Sequence, residues 1–203
     1  MGFSSGLDRT RNTATAQSPA RCTQPIFNSI ILWSYLDKSE RQIFYCNIRS
    51  DKNWFDKINF DNWIAFTIAD DEDKELLNDM TSHCLDKRVC YTCSAGQLAS
   101  LTEDYFDEEI VWRQVQEEEK TGKFQDYEAA PMTSSHNNFD EGFWFAATTA
   151  NQIIHDIYVT SKQVICIDCT KDKVRGHLLN LLDKINNGWL PSDKEIEKPA
   201  YDN

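Results

Sequence analysis

The sequence predicts an α/β domain built on a mostly parallel sheet of about five strands with helices on both faces. Three observations carry this. Residues 63–69 (WIAFTIA) and 163–169 (QVICIDC) are nearly continuous apolar runs, as in strands buried on both sides. Leu76, Leu77, Met80, Cys84 and Leu85 recur at helical spacing, and so do Val174, Leu178, Leu181, Leu182 and Ile185. Strand-like and helix-like stretches alternate along the chain, which implies βαβ units.

The elements follow in order. Residues 27–38 (FNSIILWSYLDK) fit either an extra strand or a short helix. Residues 42–48 form a strand, and a turn-like stretch with Asp51, Asn53 and Asp56 leads to the strand at 63–69. Asp70 to Asp73 gather acids where a helix dipole favours them, at the start of a helix over 73–86. Residues 88–94 form the next strand, broken by Ser94-Ala95-Gly96. A helix over about 98–118 turns Leu101, Tyr105, Trp112 and Val115 to one face and acids to the other. After a polar loop at 119–128, residues 129–137 have weak strand character. Asp140 is expected to cap a helix carrying Phe143, Trp144, Phe145, Ala147, Ala150 and Ile154. Thr170, after the strand at 163–169, is expected to cap the last helix, which Asn187-Gly188 and Pro191 end. The expected architecture is a three-layer, Rossmann-like or flavodoxin-like domain over residues 25–190. A disordered leader (1–24) and a flexible tail (191–203) are expected to flank it.

The chain has 203 residues, is 40% hydrophobic and carries a net charge of −12. That is enough apolar material for one core, and no run is long enough to span a bilayer, so a soluble, cytoplasmic protein is expected. Arg9, Arg11 and Arg21 against Asp8 give the first 24 residues a charge of +2, which leaves −14 on the rest of a chain totalling −12. The leader has no apolar core of a secretory signal. The negative charge opposes non-specific binding to phosphates and suits a basic protein partner, a cation or plain solubility.

Seven cysteines, an odd number, argue for free thiols in a reducing compartment. Two pairs, Cys90-Tyr-Thr-Cys93 and Cys166-Ile-Asp-Cys169, have the spacing of a zinc or dithiol motif. In a strand, residues three apart point to opposite faces, so neither pair is expected to share a metal. Core packing is the preferred reading, with no metal and no bound cofactor. Cys93 and Cys169 are expected to approach the same sheet edge.

Ligands of open α/β sheets bind beyond the carboxyl ends of the strands. The chain places Asp70, Asp71, Ser94, Asp168 and Thr170 there, and these are the expected binding residues, with Trp144 as an interface anchor. No phosphate-binding glycine loop is present. His136, in a polar stretch ahead of Asp140 and Glu141, is the candidate acid–base group, and Glu103 and Asp104 are candidate carboxylates. The plain alternatives are a solvated histidine and ordinary helix-start acids. Spacing alone assembles no Ser-His-Asp or Cys-His pair.

Three segments resemble an uncharacterised bacterial α/β domain family, a domain of unknown function. They are Ile43–Ile48 through Asn62–Asp71, Cys90-Tyr91 followed by the Glu103-Asp104 helix, and Met132–His136 leading to Phe143–Ala146. The match spans roughly residues 42–185. It implies one α/β domain in a bacterial or phage setting and transfers no activity.

The expected function is an acidic, non-enzymatic binding domain for a basic protein, either immunity- or inhibitor-like or part of a defence system. The alternative is a small nucleotide- or NAD-processing enzyme using His136 with Glu103 or Asp104, or a ligand sensor, with its crevice at the strand carboxyl ends.

Overall fold

The computed structural model describes residues 31–36, 40–70, 73–124 and 126–192. The leader expected over 1–24, Cys22, Asp71 and residues 193–203 of the expected tail lie outside the described residues. The elements are β1 (Ile31–Leu36), β2 (Arg41–Asn47), β3 (Trp63–Ile68), α1 (Lys74–Asp86), β4 (Val89–Ala95), α2 (Ala99–Thr121), β5 (Met132–His136), α3 (Phe139–Thr148), β6 (Gln152–Ile154), β7 (Ile157–Val159), β8 (Gln163–Asp168) and α4 (Arg175–Asn186). The main sheet runs β1-β2-β8-β3-β4-β5. Strands β2, β8, β3, β4 and β5 are parallel, and β1 adds an antiparallel edge, which makes the described part of the ambiguous 27–38 segment, Ile31–Leu36, a strand.

The period-two alternation of the strands builds two cores. Ile43, Tyr45, Ile64, Phe66, Val164 and Cys166 face α3 and α4. Cys46, Ile48, Trp63, Ala65, Ile165 and Ile167 face α1 and α2. The α3 side is closed by aromatic packing, with Phe66 against Phe143 at 5.4 Å and Phe139 at 5.6 Å between ring centres. Helices therefore cover both faces of the sheet, as expected.

The chain departs from the sequence expectations at helix ends and at one bulge. Asn138, not Asp140, caps α3, accepting from Glu141 N at 3.1 Å. Helix α3 stops at Thr148 instead of reaching Ile154. The buried Arg41 guanidinium takes the Ala146 carbonyl at 2.6 Å and the Ala150 carbonyl at 2.5 Å, so the helix end is satisfied there. Ile154 instead joins the β6–β7 hairpin, whose turn residues His155 and Asp156 take φ of 47° and 63°. Thr170 does not cap α4, which begins five residues later at Arg175. Trp112 and Val115 were expected on the buried face of α2, yet only Ala99, Thr102 and Phe106 are buried in that helix. At 1.5 Å per residue its 23 residues run about 34 Å, longer than the strands beneath, so the second half overshoots the sheet.

The cysteine pairs part company. Cys166 and Cys169 lie in opposite cores, as alternation requires. Cys90 and Cys93 lie in the same core, against expectation. Trp63 pairs with Val89 but Ile64 pairs with Tyr91, so Cys90 is the extra residue of a bulge that breaks the alternation. Cys93 and Cys169 do not meet at one edge: Cys93 stands in register with Phe66 and Cys166 inside the sheet, Cys169 follows the end of β8, and the two pack on opposite faces.

All six described cysteines are free and buried. Burial raises every one of their pKa values, that of Cys93 to about 12. The folded chain therefore keeps thiol protons that the unfolded chain gives up above the ordinary thiol pKa of about 8.5. Stability is complete below that pH and falls as pH rises beyond it, by up to about 1.4 kcal/mol per pH unit for each such thiol. Urea midpoints measured at pH 7.5, 9 and 10 should fall in that order. A midpoint constant over this range would contradict the buried placement.

Candidate functional site at the strand carboxyl ends

The connections create a switch point. From β3 the chain proceeds through α1, β4 and α2 to β5 with its helices on one face, and it returns through α3 to β8 on the other. The neighbouring strands β3 and β8 thus send their next helices to opposite faces, and the crevice opens beyond their ends.

Asp168, the last residue of β8, is fully buried at that point. Its Oδ2 accepts from the Tyr45 hydroxyl at 2.6 Å and the Asn47 amide at 3.2 Å, and its Oδ1 accepts from Thr170 N at 2.7 Å. Asn47 also donates to the Thr170 carbonyl at 3.1 Å, joining the ends of β2 and β8 a second time. The Tyr45 hydroxyl lies 2.7 Å from Asp172 Oδ1 as well, so one phenolic proton faces two carboxylates. Burial, then the hydrogen bonds to Asp168 and Asp172, push the Tyr45 pKa far up.

Cations surround this centre. Arg49 donates to the Cys169 carbonyl and pairs with Asp73 at 3.2 Å. Lys173 pairs with Asp70 at 2.6 Å, and the Arg175 guanidinium lies 5.6 Å from the centre of the Tyr45 ring. Asp73 also caps α1, accepting from Leu76 N at 3.1 Å.

Beside the Arg49–Asp73 pair opens a cleft of about 520 Å³, lined among others by Lys52, Trp54, Asp79 and His83. Its wall is the 3-10 turn Trp54–Lys57 against α1, where His83 stacks on Phe55 with ring centres 3.7 Å apart. Sequence reasoning missed this cleft. Its one signal was Trp54-Phe55 standing in a stretch otherwise read as a turn. Its charges are mixed, and the residues lining it include no nucleophile paired with a base. The mixed charges and the aromatic wall suit a polar ligand.

The structure gathers Asp70, Asp168 and Thr170 at this crevice. Ser94 is not there: it is fully buried and bonded to Thr67 Oγ1 at 3.0 Å within the sheet. Trp144 is half-buried against the α3-side core. Glu103 and Asp104 lie in the second turn of α2 rather than at its start, with Asp104 exposed. His136 is not a solvated loop residue but the last residue of β5, with a side chain 10% exposed. Its Nδ1 is 2.7 Å from Glu141 Oε2 and its Nε2 is 3.1 Å from Ser134 Oγ. Strand β5 stands three places from β8, about 14 Å at ordinary strand spacing, so His136 is not part of the Asp168 crevice. Among the described residues, no group of three or more His, Cys, Asp or Glu is placed to hold a metal ion, and no helix is long and apolar enough to cross a membrane.

Fold and crevice together define an open three-layer α/β domain with a polar switch-point site. A family model described as a domain of unknown function (DUF7684) matches residues 43–185, more than half of the chain, and the chain belongs to that family. No curated protein and no solved structure matches it.

The Asp168 centre should behave as one unit. Asp168→Ala leaves Thr170 N–H without its acceptor and takes one bond each from Tyr45, which keeps Asp172, and Asn47, which keeps the Thr170 carbonyl, and should cost about 1–3 kcal/mol in urea denaturation. Tyr45→Phe removes one donor and should cost about 1–2 kcal/mol. A loss below about 1 kcal/mol for Asp168→Ala would show that the carboxylate organises nothing.

Proposed function

We propose that this chain is an acidic protein-binding domain that docks a basic partner through the outer half of α2. One observation carries the reading. Val111, Trp112 and Val115 stand 55%, 58% and 38% exposed on adjoining positions of that helix, and the exposed acids Asp104, Asp107, Glu108, Glu117 and Glu119 lie on the same element. An exposed tryptophan flanked by smaller apolar groups is the usual anchor of an interface, and a surrounding acidic rim selects a basic partner and speeds the encounter. The anchor is thus Trp112, not the half-buried Trp144. The net charge of −12 adds long-range attraction of the same sign. The finer reading is an immunity- or inhibitor-like protein, or a component of a bacterial or phage defence system, working in the reducing cytoplasm. The free thiols and the charge agree with it.

A second reading has its own observation: the cleft of about 520 Å³ beside the crevice supports a sensor of a small polar ligand. A thermal shift of the purified chain with nucleotides would favour it.

The docking reading is tested by capture from a lysate at low and high salt, with wild type and Trp112→Ala side by side. Trp112→Ala should weaken capture of the salt-sensitive partner by about tenfold or more, and raising the salt should weaken capture by the wild type. Capture that ignores both the substitution and the salt would discard the reading.

A further inference from the structure

On the α3 side of the edge strand, three side chains form a relay that the docking surface and the switch-point crevice do not use. Ser134 and His136 are two residues apart in β5 and therefore point to the same face. The chain then turns, Asn138 caps α3, and Glu141 stands in the first turn of that helix, back against His136. Glu141 Oε2 lies 2.7 Å from His136 Nδ1, and Ser134 Oγ lies 3.1 Å from His136 Nε2.

The imidazole is fixed on several sides. A Cβ on Gly142 would sit 2.8 Å from the His136 Cβ and 3.0 Å from its Cγ, so glycine is what lets the histidine lie against the helix. The Phe145 ring stands 5.1 Å from the imidazole and 5.9 Å from Tyr91, forming an apolar wall. A carboxylate on Nδ1 holds the proton there and leaves the Nε2 lone pair for the serine. The Ser134 hydroxyl also has the Thr92 carbonyl at 3.3 Å and hydrogen-bonds with the Tyr91 and Cys93 side chains; of the Thr92 carbonyl and Nε2, Nε2 is the nearer acceptor for its one proton.

We propose that Ser134, His136 and Glu141 form an acyl-transfer site acting on esters of small apolar acyl groups. The order of roles is nucleophile, base and orienting acid, the logic of serine hydrolases recognised by geometry and not by sequence position. Ser134 Oγ attacks the acyl carbon while its proton passes to His136 Nε2. The alcohol leaves as the carbon–oxygen bond breaks, taking that proton. Water then attacks the acyl-serine, again giving its proton to Nε2, and the acid departs as Ser134 recovers a proton. Ester and water become acid and alcohol, with nothing else consumed. Strand β5 ends the sheet among the described residues, so its outer edge has no neighbouring strand there. Glu141 is a positioning residue, acting only through the ring it orients. The site lies across the sheet from α2 and about 14 Å from the end of β8, so its failure would leave the docking reading untouched.

The test is covalent labelling of the full chain with a fluorophosphonate, followed by peptide mapping. The wild type should take one label, on Ser134, and hydrolyse p-nitrophenyl acetate with an initial burst. Ser134→Ala should lose both. His136→Gln should slow labelling at least about a hundredfold. Glu141→Gln should slow it less and also displace the pH–rate profile, which a purely structural role would leave in place. Absence of a label on Ser134 in the folded wild type overturns the proposal, a result that needs no variant to fold. Equal labelling rates for wild type and a folded His136→Gln overturn it too.

Discussion

The carboxylate of Asp168 is the constraint on which the centre of this fold depends. A buried carboxylate is tolerable only if donors replace its water, and here three do, from β2 and from the turn after β8. Those donors come from segments more than 120 residues apart in the chain on one side and two residues apart on the other. Satisfying one ion therefore sets the pairing of β2 with β8, which is the step that inserts the last strand between the first two parallel ones. The crevice follows from that insertion, since it alone makes β3 and β8 neighbours with helices departing to opposite faces. Arg49 and Asp73 then line the neighbouring cleft, and Asp70 pairs with Lys173 at the same strand ends.

Arg41 plays the matching part at the opposite end of β2. Its guanidinium is buried, and its hydrogen bonds go to the carbonyls of Ala146 and Ala150 and to the side chain of Asn151. A helix C-terminus carries the negative end of its dipole, so the charge is met by backbone. This contact meets the end of α3, while the Asn138 cap places its first turn and with it Glu141 against His136. The bulge at Cys90 belongs to the same neighbourhood: it turns both Cys90 and Cys93 toward this side, where the positive charge of Arg41 pulls both thiols down while burial, the larger effect, pushes them up.

What the sequence made legible was whatever depends on burial alone. Strands β3 and β8 announce themselves because every residue from Trp63 to Ile68 is buried, and α4 because Leu178, Leu181, Leu182 and Ile185 form one stripe. What it hid depends on contacts between distant segments. Asp140 was as good a cap as Asn138 on composition, and geometry chose the residue whose side chain met Glu141 N. Thr170 was drawn away from a capping role by the turn around Asp168, where its oxygen takes Lys173 N instead. Spacing showed no serine partner for His136, because the pairing with Ser134 runs along a strand and the pairing with Glu141 runs across a turn. Period-two alternation placed Cys166 and Cys169 correctly, and it failed at Cys90 because a bulge leaves no trace in residue type.

The overshoot of α2 is where the chain departs most clearly from what the core requires. A helix that served only the core would end where the sheet ends, after Phe106 and the turn that follows it. This one continues to Thr121 and is held by Arg113, which bonds Glu109 at 2.7 Å, Asp86 at 2.8 Å and the Ser82 hydroxyl at 2.8 Å. Ion pairs this exposed add little to stability, so their effect is on direction: they fasten the extension to α1. Leaving a tryptophan and two valines in water at the end of a braced helix lowers solubility and adds nothing to the core. The acids along the same helix offset the loss of solubility.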